Sequence, residues 1–363
     1  MTDREKQVLN LLKVNPSISQ QELANKLNIT RSSVAVHITN LMKKGYILGK
    51  GYILAKDNYV TVIGCCNMDI LGYPNDKIAM FDSNPGKVEM SCGGVGRNIA
   101  ENLAKLDVSV KLLSAVGNDI YGKKVISHCR DIGIDTDDLF VSDELPTSVY
   151  LSILNEKNDM QLAISHMDIS QKIDIDYIIN RHNFIKESKA IVIDTNLHED
   201  VITFITTTYS HIPIFVDAVS SYKCLKIKDT LNNIYALKLN KLEAEALTNI
   251  KINSNDDLLL CWHNLLAKGI KNGFITLGSE GVFCFNENEK YFINAFDNVK
   301  VINATGAGDA FCSGLIYSFL NDFDLRSSAK FAMAASVIAL SHRDTINPNM
   351  SIDNINKLLK EKL

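Results

Sequence analysis

Near the C-terminal end of the chain, Asn303-Ala304-Thr305-Gly306-Ala307-Gly308-Asp309-Ala310-Phe311 sets three small residues directly before an acid. The apolar segment that follows, Ala310 to Leu320, is long enough for about three helical turns. A helix starting there aims unsatisfied backbone N–H groups and the positive end of its dipole into the loop. Gly306, Ala307 and Gly308 carry no bulk to keep an anion away from those N–H groups, so the loop suits a phosphate. Asp309 then stands as a base beside the phosphate. A Gly-rich loop with Asp as a helix N-cap has the same pattern, so the loop alone does not decide its use.

A second loop, Cys92-Gly93-Gly94-Val95-Gly96-Arg97-Asn98-Ile99-Ala100, also places glycines before a helical stretch, where backbone and ligand can come close. It is not a dinucleotide fingerprint, because position 99 is Ile where G-x-G-x-x-G needs glycine, and no G-x-x-x-x-G-K-[ST] loop occurs in the chain. Three further short patterns join these loops: Asn67-Met68-Asp69, Asn240-Lys241-Leu242-Glu243 and Thr276-Leu277-Gly278-Ser279-Glu280-Gly281. Each polar residue in them, taken singly, reads equally well as a turn-former or a cap.

The elements that must hold these loops are legible from Tyr59 onward. Buried-strand runs occur at residues 60–65, 108–113, 190–193, 214–216, 234–237 and 273–277, with amphipathic stretches such as 95–106 and 241–248 between them. That alternation predicts an α/β fold, three αβα layers around a mostly parallel, Rossmann-like sheet. Residues 71–92 and 147–164 break the rhythm by alternating apolar and polar positions, which predicts antiparallel strands in a separate small sheet. A lid over a substrate site is a natural use for such a sheet.

The first 56 residues form a different module. Apolar stripes predict helices over residues 4–14, from Ser19 with Glu22 closing a capping box, and from Arg31 to Lys44, where Gly45 stops the last. Residues 46–54 read as two short strands around Gly49-Lys50-Gly51. Residues 1–57 carry nine Lys/Arg against four acids, a charge of +5 that leaves −9 on the remainder. The module resembles the winged helix-turn-helix domains of bacterial regulators. That resemblance makes duplex DNA an expected partner, with Arg31, Ser32, Ser33 and His37 on the recognition helix and Lys50 on the wing. A dimerising module that touches no DNA has the same outline.

At 46% hydrophobic and 22% charged residues, the composition is that of a soluble globular protein, and no apolar run reaches the roughly 18 residues a membrane span needs. Eight scattered cysteines without a C-x-x-C pair, behind an N-terminus with no signal-peptide core, predict reduced thiols in the cytoplasm and no zinc site. The length of 363 residues predicts more than one domain, read here as 1–56 and 58–363.

Taken together, residues 92–100 and 303–311 resemble the two signatures of the ribokinase-type (PfkB) family of sugar and nucleoside kinases, and the resemblance spans residues 58–363. It implies an ATP- and Mg²⁺-dependent phosphotransferase in which Asp309 is the base and Gly306, Ala307 and Gly308 form an anion hole. Asn67, Asp69, Gly93, Gly94 and Asn98 would orient a ribose. Asn240 and Glu243 would arrange Mg²⁺ and phosphate largely through water, and Thr276, Gly278, Ser279 and Gly281 would hold the nucleotide. Many relatives have Asp where this chain has Asn303, which leaves potassium activation open. Residues 147–152, 163–168, 215–220 and 345–348 look most like the nucleoside kinases of the family, the pseudouridine kinases in particular. They add Asn347 to the nucleotide site and His166, on the lid, to the substrate site, while Asn196 stands where relatives place a substrate-contacting side chain. The implied activity is phosphorylation of the 5′-hydroxyl of a ribonucleoside, pseudouridine first, by a homodimer. An inosine-like nucleoside or a free sugar is the alternative substrate. A transcription regulator that uses a kinase fold as its sensor is the alternative class.

Overall fold

The computed structural model describes residues 1–48, 58–155 and 160–362. The chain divides into two compact units, Met1–Asn58 and Tyr59–Leu363.

The first unit holds α1 (Asp3–Val14), α2 (Gln20–Leu27) and α3 (Arg31–Lys43). Each begins at a hydroxyl that accepts a backbone N–H: Thr2 from Glu5, Ser19 from Glu22 and Thr30 from Ser33. Such a cap contributes about 1 kcal/mol to a helix. Val8, Leu12, Leu23, Val34, Leu41 and Ile47 meet in the core that fixes the three helices. The expected wing turn, with Lys50, lies outside the described residues.

The second unit opens with β1 (Val60–Ile63), β2 (Asn67–Pro74), β3 (Gly86–Gly93) and α4 (Val95–Lys105). There follow β4 (Val110–Leu113), β5 (Ala115–Gly117), α5 (Ile120–Asp131), β6 (Phe140–Ser142), β7 (Val149–Leu154) and β8 (Met160–His166). The short helices α6 (Ile175–Ile179) and α7 (His182–Ile185) lead to β9 (Ala190–Asp194), α8 (Glu199–Thr208), β10 (Ile214–Asp217) and β11 (Ala236–Asn240). The chain closes with α9 (Lys241–Thr248), α10 (Asn255–Ala267), β12 (Asn272–Thr276), β13 (Val282–Phe285), β14 (Lys290–Ile293), α11 (Ala307–Leu320), α12 (Leu325–Leu340) and α13 (Ile352–Lys362).

Eight strands form the main sheet in the order β14-β13-β12-β11-β10-β9-β1-β4. From β12 to β4 every pairing is parallel. Strands β1, β9 and β10 are buried at every position, as a parallel sheet covered on both faces requires. Alternate residues feed two cores: Ile63, Ile193, Val216 and Leu237 on one face, Val60, Val62, Val192 and Phe215 on the other. The antiparallel pair β13 and β14 extends the sheet beyond the strands read from sequence. Val282–Phe285 is only four residues long and follows β12 after a single turn, so its pattern merges with that strand.

The small sheet exists, in the order β3-β2-β7-β8. It differs from expectation in two ways. Its central pair, β2 with β7, is parallel rather than antiparallel. It also starts at Asn67 instead of residue 71, so Asn67 and Asp69 sit on a lid strand rather than in a loop after β1. Among the described residues no helix is long and apolar enough to cross a membrane, and all eight cysteines are free and buried.

Candidate active site

Asp194 ends β9, Asp217 ends β10, Asn240 ends β11 and Thr276 ends β12. The polar patterns thus collect along the carboxyl edge of the parallel strands, where open α/β sheets bind ligands. At the centre stands Asp309, in the first turn of α11 and 9% exposed.

Gly306 is the N-cap of α11 with φ +81°, and a Cβ there would lie 2.2 Å from the carbonyl oxygen of Thr345. The left-handed turn that launches the helix therefore requires glycine. The helix N-terminus leaves the N–H groups of Gly306, Ala307 and Gly308 outside the intrahelical ladder. Beneath them lies Lys238, 7% exposed, whose Nζ would sit 2.8 Å from a Cβ placed on Gly308. Lys238 faces Asp217 on the adjacent strand, with Nζ 3.2 Å from Oδ2. Burial pulls the Lys238 ammonium pKa down, but the carboxylates of Asp217, Glu243 and Asp309 more than offset it and hold the group charged.

Burial, with the charge of Asp217 adding to it, pushes the Asp309 carboxyl up to about 7; Asn98 and Lys238 oppose the shift. Asn98 Nδ2 donates to Asp309 Oδ2 at 2.7 Å. The two sequence loops, 211 residues apart, are thus joined at the acid itself.

The remaining ribose candidates lie on or beside the lid. Asn67 and Gly93 are register partners on β2 and β3, and Gly94 leads into α4 with φ +96°. Asn67 Nδ2 donates to Asp69 Oδ1 at 2.5 Å. Burial raises the Asp69 carboxyl above its ordinary range, and Asn67 and Arg97 partly counter this. Asn196 Oδ1 accepts from Lys223 Nζ at 2.6 Å. Asp194 is fully committed to the scaffold: Oδ2 accepts from the N–H of Cys65 and Gly96 and Oδ1 from that of Asn196, which ties β1 to α4.

Thr276, Gly278, Ser279 and Gly281 line one cavity of about 530 Å³. Phe296, Val299, Met333 and Val337 form its apolar wall, and it reaches Ala307 and Gly308. Asn240 and Glu243 form a capping box at the start of α9. Glu243 Oε2 accepts the Asn240 N–H at 2.7 Å, and its Oε1 accepts from Asn240 Nδ2 at 2.6 Å. Burial raises the Glu243 carboxyl, and Lys238 counters that. Among the described residues, no three His, Cys, Asp or Glu side chains are grouped to hold a metal ion.

Two candidates fall away from this assembly. Asn347 lies outside the cavity; its amide donates to Ile338 O at 2.6 Å and to Ser341 Oγ at 3.2 Å, holding the end of α12. His166 pairs with Val149, which pairs with Met68, so strand parity places it on the lid face opposite Asp69. It stands 3.4 Å from Asp168 with its side chain 48% exposed. Tyr150 and Ser165, one step along each strand, share the face of Asp69. Only the register between the strands brings them there, and neither segment states it. Asn303 closes its own loop: Nδ2 donates to Arg343 O, and Oδ1 accepts the Thr305 N–H. Lys238 and Asp217 were missed as site residues, although a lysine inside Ala236-Leu237-Lys238-Leu239 demands a buried partner.

In the first unit, Arg31 and Ser32 are exposed and Ser33 and His37 half-buried along α3. The hydroxyls of Ser32 and Ser33 lie 2.9 and 2.8 Å from Thr30 Oγ1.

Comparison with known proteins gives the family of each part of the chain. The family described as pfkB family carbohydrate kinase matches residues 57–352, and a winged helix-turn-helix DNA-binding family matches residues 1–47. An Escherichia coli protein described as an uncharacterized sugar kinase, YeiI, is 36% identical over 98% of each chain. The pseudouridine kinase of Escherichia coli is 37% identical over 85% of this chain and 98% of its own. The solved structure of a carbohydrate kinase from Agrobacterium tumefaciens superposes with a TM-score of 0.75 at 27% identity, covering 84% of this chain and 97% of the other. This chain belongs to the pfkB family of carbohydrate kinases, ATP-dependent enzymes that phosphorylate a hydroxyl group, and carries a winged helix-turn-helix domain at its N-terminus.

Proposed function

We propose that the enzyme transfers the γ-phosphoryl group of ATP to the 5′-hydroxyl of a ribonucleoside, pseudouridine first, with Asp309 as the base. The observation that carries this reading is the buried Asp309 beside the open N-terminus of α11, at the end of the cavity that runs to Thr276 and Gly281. The 37% identity to a pseudouridine kinase supports the choice of nucleoside.

A primary alcohol keeps its proton at neutral pH, so the proton must leave as the oxygen attacks phosphorus. Asp309, pushed up to about 7, takes it at an operating pH near its own pKa. The N–H groups of Gly306, Ala307 and Gly308, with Lys238 beneath them, stabilise the charge on the transferring phosphoryl group. The adenine and ribose of ATP fit the apolar cavity beside Thr276, Gly278, Ser279 and Gly281. Asn67, Asp69 and Asn98 orient the acceptor ribose so that one hydroxyl faces the base. Mg²⁺ neutralises phosphate charge when bound; it normally keeps several waters. Both carboxylate oxygens of Glu243 already accept from Asn240, so Glu243 suits an outer role through such a water.

The lid supports the homodimer. Its face away from Asp69 exposes Val88, Met90, Leu162 and Ile164, each more than half accessible, and a self-complementary apolar patch of this kind suits a second copy of the chain. The winged domain supports binding to duplex DNA, which would make the enzyme a regulator as well.

A phosphorylation screen with ATP and Mg²⁺ across pseudouridine, uridine, inosine, adenosine, ribose and fructose tests the activity. The expected result is preference for pseudouridine, with Asp309→Asn losing at least about 10³-fold in kcat while still binding ATP. Preference for a free sugar overturns the substrate, and a fully active Asp309→Asn overturns the mechanism.

A further inference from the structure

Arg97 is one of the largest fully buried side chains in the protein, 2% exposed, and the reaction as described makes no use of it. It belongs to a chain of polar contacts that crosses three helices. His128 on α5, with its side chain 40% exposed, places Nε2 3.0 Å from Glu101 Oε2. Glu101 also pairs with Arg97 one turn earlier on α4. Arg97 Nη2 donates to Asn98 Oδ1, and Asn98 Nδ2 donates to Asp309 Oδ2 at 2.7 Å.

We propose that Arg97 is a positioning residue for the base: it locks the Asn98 amide so that the NH2 group, not the carbonyl oxygen, faces Asp309. The proposal rests on the reading of Asp309 as the base. The argument is one of donor inventory. An amide has one accepting and one donating end, and the two are close to the same shape. An ionised Asp309 can only accept, from the NH2 end; to pair with the carbonyl end it must be protonated and donate. A guanidinium has donors alone, so Arg97 takes the carbonyl end of Asn98 and leaves only the NH2 end for the carboxylate. Glu101, in turn, holds the guanidinium in place and neutralises it. Filling this space with an apolar residue would avoid burying an ion pair, and such replacements are often neutral or stabilising. The charge is therefore better explained by what it orients than by stability.

The consequence is read in the protonation of the base. A hydrogen bond donated to the ionised carboxylate favours the ionised form, and a flipped amide would favour the protonated one. The other groups facing Asp309 are Asp217 on β10 and Asp194 on β9, which raise its pKa, Lys238 on β11, which lowers it, and the thiol of Cys312 on α11. Glu101 faces Arg97, His128 and Lys105.

The test is kcat against pH, from about pH 5 to about pH 9, with saturating ATP, Mg²⁺ and the preferred acceptor. Arg97→Met is expected to move the acid-side inflection up by about one unit, with the high-pH plateau recovered. Arg97→Lys keeps the charge but gathers its donors on one nitrogen, where Arg97 uses Nη1 for Glu101 and Nη2 for Asn98, so a smaller shift of the same sign is expected. In an Asn98→Leu background, Arg97→Met should add no further shift. An unmoved inflection with kcat lowered equally at every pH overturns the proposal, as does a shift that adds fully in the Asn98→Leu background. Thermal unfolding checks that each variant is folded, and Arg97→Lys carries the same two outcomes if Arg97→Met is not. Failure of the base reading shows separately, as full turnover in Asp309→Asn.

Discussion

At the scale of single residues, Asp309 gathers its own burial and the charges of three neighbouring strands into one titration. Below about pH 7 its carboxyl holds a proton and cannot accept another, so kcat should fall as pH drops through that value. Lys238 holds the pKa down, so Lys238→Met should move the acid limb to higher pH. The same substitution leaves Asp217 buried without its cation, at a cost of about 3–5 kcal/mol. Urea unfolding should show that loss, and Lys238→Met with Asp217→Asn should regain part of it; equal stability of the single and double variants would break the argument. The place of Asp309 in the first turn of a helix was legible from the three small residues before it, though that loop alone does not decide its use. Its partner Lys238 was legible only as an anomaly in an apolar strand. Which acid answers it depends on the parallel register of Asp217 with Lys238, and strand order is not written in either segment.

At the scale of elements, helix starts were the easiest features to read and lid faces the hardest. Asn240-Lys241-Leu242-Glu243 is a capping box by helix physics alone, whatever it does for phosphate. The lid depends on strand parity, and a one-residue step exchanges its two faces. The family resemblance puts His166 at the substrate site, yet the pairing through Val149 and Met68 turns it away and brings Tyr150 and Ser165 round. The opposite face presents Ile164 and Leu162 on an edge strand at 56% and 59% exposure. If this face joins two copies, Ile164→Lys should shift the protein from dimer to monomer in sedimentation without unfolding it, because the site is already solvent-accessible in one chain. A wild type that sediments as a monomer at every concentration would remove the dimer.

At the scale of the whole molecule, two units of opposite charge share one chain. Residues 1–57 carry +5 and the remainder −9, so binding of duplex DNA by the intact protein is expected through the first unit. In the described part of that unit, α3 offers Arg31 as an exposed cation at its start, while Ser32 and Ser33 are partly occupied with Thr30. Phosphate contact by Arg31 predicts a specific salt signature. Full-length protein should bind duplex DNA from its own upstream region in low salt, with log K falling linearly against log salt. Arg31→Ala should lessen that slope by about one. Its kinase turnover should stay unchanged, since Arg31 belongs to a unit with its own core and the residues proposed for phosphoryl transfer all lie beyond Tyr59. Adding the preferred nucleoside to the same titration reads coupling between the two activities. A changed affinity makes the kinase domain a sensor for the DNA-binding domain, and by reciprocity DNA must then change the affinity for the nucleoside by the same factor. No binding at low salt would mean that the winged domain serves something other than DNA.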